Sequence, residues 1–183
     1  DSQLLNHQFQ ISAMMEEARH CNRNSPVIVT GTNPPVRLLS TFSEAFPEND
    51  LTWVVNPPGY AVWAAAAASG RLEYTLALAD TDGKVTFSLQ TARVGQTILK
   101  RPLSRWSRYP AGALLLLDSI GAEIEALNIL LLVDEPAGPR FDYALGTAVA
   151  ALWHEVAGRP YAPATLMEVV DRTRREYASV TFP

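Results

Sequence analysis

The stretch Ala126-Leu-Asn-Ile-Leu-Leu-Leu-Val133, continued by Asp134-Glu-Pro-Ala-Gly-Pro139, decides the fold of this chain. Its apolar run is too short for an ordinary helix and shows no alternation. It therefore reads as a central strand buried on both faces. The Pro/Gly loop that follows leads into a helix from about Phe141 to Val156, closed by Gly158 and Pro160. A last helix begins near Pro163 and runs to Tyr177, with Leu166, Val169, Val170 and Thr173 as its packing stripe.

Working backwards, Trp106 to Gly121 has a helical core containing Leu114 to Leu117. Before it lie three β-leaning runs, Tyr60 to Ser69, Arg71 to Ala79 and Lys84 to Ala92, introduced by the turn Asn56-Pro-Pro-Gly59. Asp80-Thr-Asp-Gly83 joins the last two as a hairpin, because Asp and Gly readily supply the positive φ such loops need. Leu72, Tyr74, Leu76 and Leu78 alternate with Glu73, Thr75, Ala77 and Ala79, which predicts one buried and one more polar face. Alanine prefers helix, but Gly59 and Ser69-Gly70 fence Ala64 to Ala68 into a strand-sized length, so the run is read as strand.

The first 55 residues carry an α-β-α-β pattern. A helix covers Leu4 to Arg23, a strand Pro26 to Gly31, a helix opened by Pro34-Pro35 runs to Phe46, and a strand covers Leu51 to Val55. The expected fold is α/β (α+β): a two-layer mixed sheet with helices mainly on one face, preceded by this small segment. Residues 1–55 are expected to pack on residues 56–183 as one compact unit.

The 183 residues are 48% hydrophobic and 19% charged, enough for a core of ordinary domain size. Fifteen Lys and Arg against nineteen Asp and Glu give a net charge of -4, so no overall field draws polyanions, and nucleic acid is not the expected partner. The longest apolar stretches fall far short of the roughly 20 residues of a membrane-spanning helix. One cysteine excludes an intrachain disulfide framework and is compatible with a reducing compartment, so a cytoplasmic location is expected. His154-Glu155 lacks the second histidine of a zincin, and His20-Cys21 lacks visible partners. No metal site is expected.

Over about Asn56 to Gly158 the order hairpin, helix, buried strand, loop, helix resembles the left-handed βαβ domain of Lon proteolytic domains, ComM proteins and GHMP small-molecule kinases. Gly70 through Leu89 resembles the paired strands of Lon domains. Asn128 through Gly146 is similar to the strand, Pro/Gly loop and helix start of ComM-type chains, and Trp106 through Val180 is similar to the galactokinase-type GHMP fold. The Lon resemblance implies a serine in a Gly-Pro-Ser-Ala loop and a later lysine. Here the loop reads Gly138-Pro139-Arg140-Phe141, and the only lysines are Lys84 and Lys100. The GHMP resemblance implies a Gly- and Ser-rich phosphate loop at a helix N-terminus. The equivalent Pro136 to Thr147 places Arg140, Phe141, Asp142 and Tyr143 between Gly138 and Gly146.

Two groups of residues remain as candidates. Asp134, Glu135, Gly138, Arg140 and Asp142 could bind an anion or hold Mg²⁺ for a nucleotide, and Gly31 with Asn33 follows a strand where open α/β proteins bind ligands. Against this stand capping by Asp142, solvation of the loop acids and an ordinary turn at Gly31-Thr-Asn33. Arg101, Arg105, Trp106, Arg108 and Tyr109 belong to the chain's local basic and aromatic cluster, which suits a protein interface. The first expectation for function is a non-catalytic binding or scaffold module contacting a protein partner or larger assembly, with no cofactor. The alternatives are a GHMP-like phosphotransferase using Mg²⁺-nucleotide, and a Rossmann-like nucleotide-signal sensor whose two Gly-containing strand ends meet in one cleft. A homo-oligomer fits any of the three.

Overall fold

The structure is a computed structural model that describes residues 28–30, 33–121 and 125–182. In chain order it contains β1 (Ile28–Thr30), α1 (Val36–Ala45), β2 (Trp53–Val55), β3 (Val62–Ala68), β4 (Tyr74–Leu78), β5 (Lys84–Phe87) and α2 (Leu89–Arg93). After a 3₁₀ turn at Arg105–Ser107 come α3 (Arg108–Asp118), β6 (Leu127–Val133), α4 (Pro139–Val156) and α5 (Pro163–Arg172). That last helix continues through a π-helical stretch, Thr173–Ala178, into α6 (Ser179–Thr181). The helix expected over Leu4 to Arg23 lies outside the described residues, as does Gly31.

The six strands form one mixed sheet in the order β1-β2-β3-β6-β4-β5. The central strand read from the sequence is central in space. β6 pairs antiparallel with β3 from Val62↔Val133 to Ala68↔Leu127, and parallel with β4 from Thr75↔Asn128 to Leu78↔Leu131. Its odd-numbered residues Leu127, Ile129, Leu131 and Val133 enter the larger core with α3, α4 and α5. Leu130 and Leu132 enter the smaller core on the opposite face with Leu38 and Phe42 of α1. Both faces are buried, so the strand carries no alternation.

The alanine run forms β3, held on one side by β2 and on the other by β6. Helix propensity is a weak preference that pairing on two sides overrides. The expected strand Lys84 to Ala92 divides in two. β5 ends at Phe87, and Ser88 caps α2: Ser88 Oγ accepts the Thr91 N–H at 3.2 Å while Thr91 Oγ1 accepts the Ser88 N–H at 3.1 Å. This reciprocal cap satisfies two helix-end donors and stops a strand that alternation alone would prolong.

Helices lie mainly on one face, as expected. Among the described residues the other face has α1 alone, fixed over the sheet by the Arg37–Asp80 ion pair and by Lys84, whose Nζ donates to Ala45 O at 2.7 Å and sits 4.5 Å from the Phe46 ring centre. Its apolar half, Val54, Ala65, Ala67, Ala77 and Leu130, is covered. The half over β4 and β5 is polar, and no described element covers it.

On the helical face α3 meets the π-helical stretch closely at Gly112, where a Cβ would lie 2.4 Å from Tyr177 Cδ1 and 2.6 Å from Thr173 Cγ2. Tyr177 is pinned there, since its hydroxyl donates to Ala92 O at 2.5 Å. Burial pushes this phenol up to about 12. No described helix is long and apolar enough to cross a membrane.

Candidate functional site

The β6–α4 loop is held by its own side chains. Asp134 N–H donates to Ala61 O at 2.8 Å, extending the β3–β6 pairing past the strand end. Glu135 Oε1 accepts the Ala61 N–H at 2.9 Å, and Oε2 accepts from Arg140 Nε at 2.6 Å. Arg140 Nη2 in turn donates to Gly59 O at 2.8 Å, and its guanidinium lies 5.0 Å from the Tyr60 ring centre. The Glu135 side chain is only 6% exposed, while that of Arg140 is 59% exposed. The result is a clamp that ties the start of α4 to the turn before β3, with charge-assisted bonds at most of its contacts.

The electrostatics follow this geometry. The bond from Arg140, and then that from the Ala61 N–H, hold the Glu135 carboxyl below its ordinary value. Gly138 has φ +148°, a conformation open to glycine and hostile to other residues, and nothing lies within 4 Å of its would-be Cβ. Backbone geometry, rather than crowding, therefore requires glycine there. Asp142 sits in the first turn of α4, where burial raises its carboxyl against the opposing pull of Arg105 and Arg108.

That last relation joins two groups that were separate in the sequence. Arg105 of the 3₁₀ turn and Arg108 at the start of α3 lie close enough to Asp142 of α4 to favour its charged form. Beside them the Tyr109 and Tyr143 rings are 5.7 Å apart, and Tyr143 donates to Asp171 Oδ1 at 2.6 Å. Burial and that bond push Tyr143 up to about 12.

Asn33, exposed and with φ +56°, follows β1. β1, β2, β6 and β4 run in one direction, so Asn33 and Asp134 leave the same end of the sheet. Two strands separate β1 from β6, which at ordinary strand spacing is about 14 Å. Glu135 and Arg140 are brought together; Asn33 belongs to another strand end.

Within the basic and aromatic cluster, Arg101 and Arg105 are exposed. Trp106 packs on the β4–β5 turn, its Nε1 3.3 Å from where a Gly83 Cβ would stand. Arg108 lies 4.1 Å from the Phe182 ring centre. In the segment just before this cluster, Val94, Ile98 and Leu99 are exposed by 63%, 44% and 71%. These three were not singled out in the sequence, because nothing in their spacing separates an exposed apolar residue from a buried one.

His154 is 6% exposed between the Trp153 and Tyr161 rings, and among the described residues neither ring nitrogen has a hydrogen-bond partner. Burial, assisted by Arg159 and opposed by Glu155, lowers its pKa. Among the described residues no three His, Cys, Asp or Glu side chains gather as a metal site would require.

No protein-family model matches the sequence, and no curated protein matches it. Among solved structures, a galactokinase from Lactococcus lactis, determined with galactose, is similar with a TM-score of 0.55 and 17% identity. The similarity covers 67% of this chain and 31% of that one, so this chain spans less than a third of the galactokinase. Such a likeness concerns the fold alone.

Proposed function

We propose that this chain is a non-catalytic binding module on a GHMP-like fold, working through protein–protein contacts. The observation that carries the reading is the exposure, within residues 94–105, of the apolar Val94, Ile98 and Leu99 together with Arg101 and Arg105. Exposed apolar side chains and guanidinium groups are the composition of a protein-binding patch. The Glu135–Arg140 clamp supports the non-catalytic half. A GHMP-type phosphate loop needs free backbone N–H groups and close approach, whereas here a carboxylate and a guanidinium bind one another and the backbone of Gly59 and Ala61 beside the helix start. The residues present do not fit a Mg²⁺-nucleotide cradle, and no phosphoryl-transfer step is assigned to them.

The test is a comparison of immobilised wild-type chain with Leu99→Asp and Arg105→Glu variants in partner capture from cells of the source. Both side chains are at the surface, so both variants are expected to keep the wild-type melting temperature. A partner retained by wild type and lost by both variants supports the role. Identical capture by wild type and variants contradicts it.

A second reading, a GHMP-like small-molecule enzyme, is favoured by the galactokinase likeness. It requires the clamp to open, with Arg140 releasing Glu135 for a substrate anion. A cytoplasmic location suits either reading.

A further inference from the structure

The open half of the second sheet face forms a cavity of about 520 Å³ beside the C-terminal end of α1. Register places Asn128, Thr75 and Thr86 directly opposite one another across β6, β4 and β5, so three polar side chains make one row on its floor. The row is ordered from within. Asn128 Nδ2 donates to Asn49 Oδ1 at 2.9 Å, Asn49 Nδ2 donates to Ala68 O at 3.1 Å, and the two threonine hydroxyls are 3.2 Å apart. One register step further along, the same face is apolar, with Leu130 and Ala77 under α1.

The walls carry both signs of charge. Arg71 and Lys84 face the cavity, as do Glu48 and Glu73, and no ion pair joins them among the described residues. Opposite charges around one cavity that do not pair with each other are available to a ligand that carries both. A polyanion would meet as many carboxylates as cations, together with the carbonyl end of α1. A neutral polyol would leave the charged groups without charged partners.

We infer that this cavity is a binding site for a small zwitterion bearing an ammonium and a carboxylate, the chemistry of a free α-amino acid or a dipeptide. The carboxylate meets Arg71 and Lys84, the ammonium meets Glu73 and Glu48, and the amide and hydroxyl row takes the ligand's remaining polar groups. The site goes beyond the protein-binding role but shares Ile98 with it, since that side chain lines the cavity. Asn128 stands about 17 Å along β6 from the strand end that leads into the Glu135–Arg140 clamp.

Calorimetric titration of the full chain with L-asparagine and with glycylglycine tests this, against N-acetyl-L-asparagine amide, sorbitol and Mg²⁺-ATP. Saturable binding of either zwitterion is expected, at least tenfold weaker for the doubly blocked amino acid and at least tenfold weaker in Arg71→Ala and in Glu73→Gln. The tighter of the two zwitterions identifies the source. Absence of saturable binding by both overturns the assignment. So does equal binding of sorbitol or of the blocked form, a comparison that depends on no variant.

Discussion

Replacing Gly112 with alanine tests whether α3 and the C-terminal helix are in close contact. The added methyl would stand 2.4 Å from Tyr177 Cδ1 and 2.6 Å from Thr173 Cγ2, more than 1 Å inside ordinary carbon contact distance. Neither neighbour yields easily. Tyr177 is held by its bond to Ala92 O, and Thr173 is fully buried with its hydroxyl on Val169 O at 2.9 Å. Overpacking of a tight core costs about 1–3 kcal/mol. Alanine recovers about 1 kcal/mol of that through its helix propensity. With both neighbours held, the upper part of that cost applies, about 2–3 kcal/mol, so the net expectation is a loss of about 1–2 kcal/mol, which for a chain of this size lowers the melting temperature by about 2–8 °C. Gly146→Ala in α4 is the matched control, since its methyl would meet Val170 Cγ2 at 3.2 Å, a contact that a shift of a few tenths of an ångström relieves. Urea melts of both variants read the difference. A Gly112→Ala chain as stable as wild type, or more stable than Gly146→Ala, would refute the close approach.

Two further predictions concern His154 and the α2 cap. His154 is buried, has no hydrogen-bond partner among the described residues and has a lowered pKa, so the unfolded chain binds its proton more tightly than the folded one. Its stabilising contribution is therefore complete above the unfolded value near 6.5 and is lost as pH falls from there to the lowered folded value. Across that window the slope from this group is at most about 1.4 kcal/mol per pH unit. His154→Phe should flatten the stability profile between pH 6.5 and the acid range, and an unchanged slope in urea melts contradicts the assignment. Ser88→Ala removes the side-chain half of the α2 cap and should cost about 1 kcal/mol, read as a lower urea midpoint at unchanged slope. A midpoint equal to wild type would mean that the cap does not hold α2.

The elements most legible in the sequence were those with one dominant cause. β6 was readable because continuous apolarity over Leu127–Val133 has few other uses, and the β4–β5 hairpin because Asp80-Thr-Asp-Gly83 admits little but a turn. α2 was not readable by alternation: Leu89 continues the pattern of Val85 and Phe87, and only the Ser88–Thr91 pair marks the change. Glu135 and Arg140 were picked out as charged residues at a strand end. Their engagement with Gly59 and Ala61 depends on the antiparallel neighbour β3, a pairing that local sequence does not encode. The same holds for the row Asn128, Thr75 and Thr86, whose members are 53 and 11 residues apart in the chain and meet only through register.

The central claim is that the β6–α4 loop is closed by the chain's own Glu135–Arg140 clamp and does not cradle a nucleotide. Titration of the full chain with ATP in the presence and absence of Mg²⁺, repeated on Arg140→Ala, tests it most directly. The account predicts no saturable Mg²⁺-dependent heat in either protein. Saturable Mg²⁺-dependent binding by wild type, abolished in Arg140→Ala while the variant stays folded, would contradict it and establish the loop as a phosphate site.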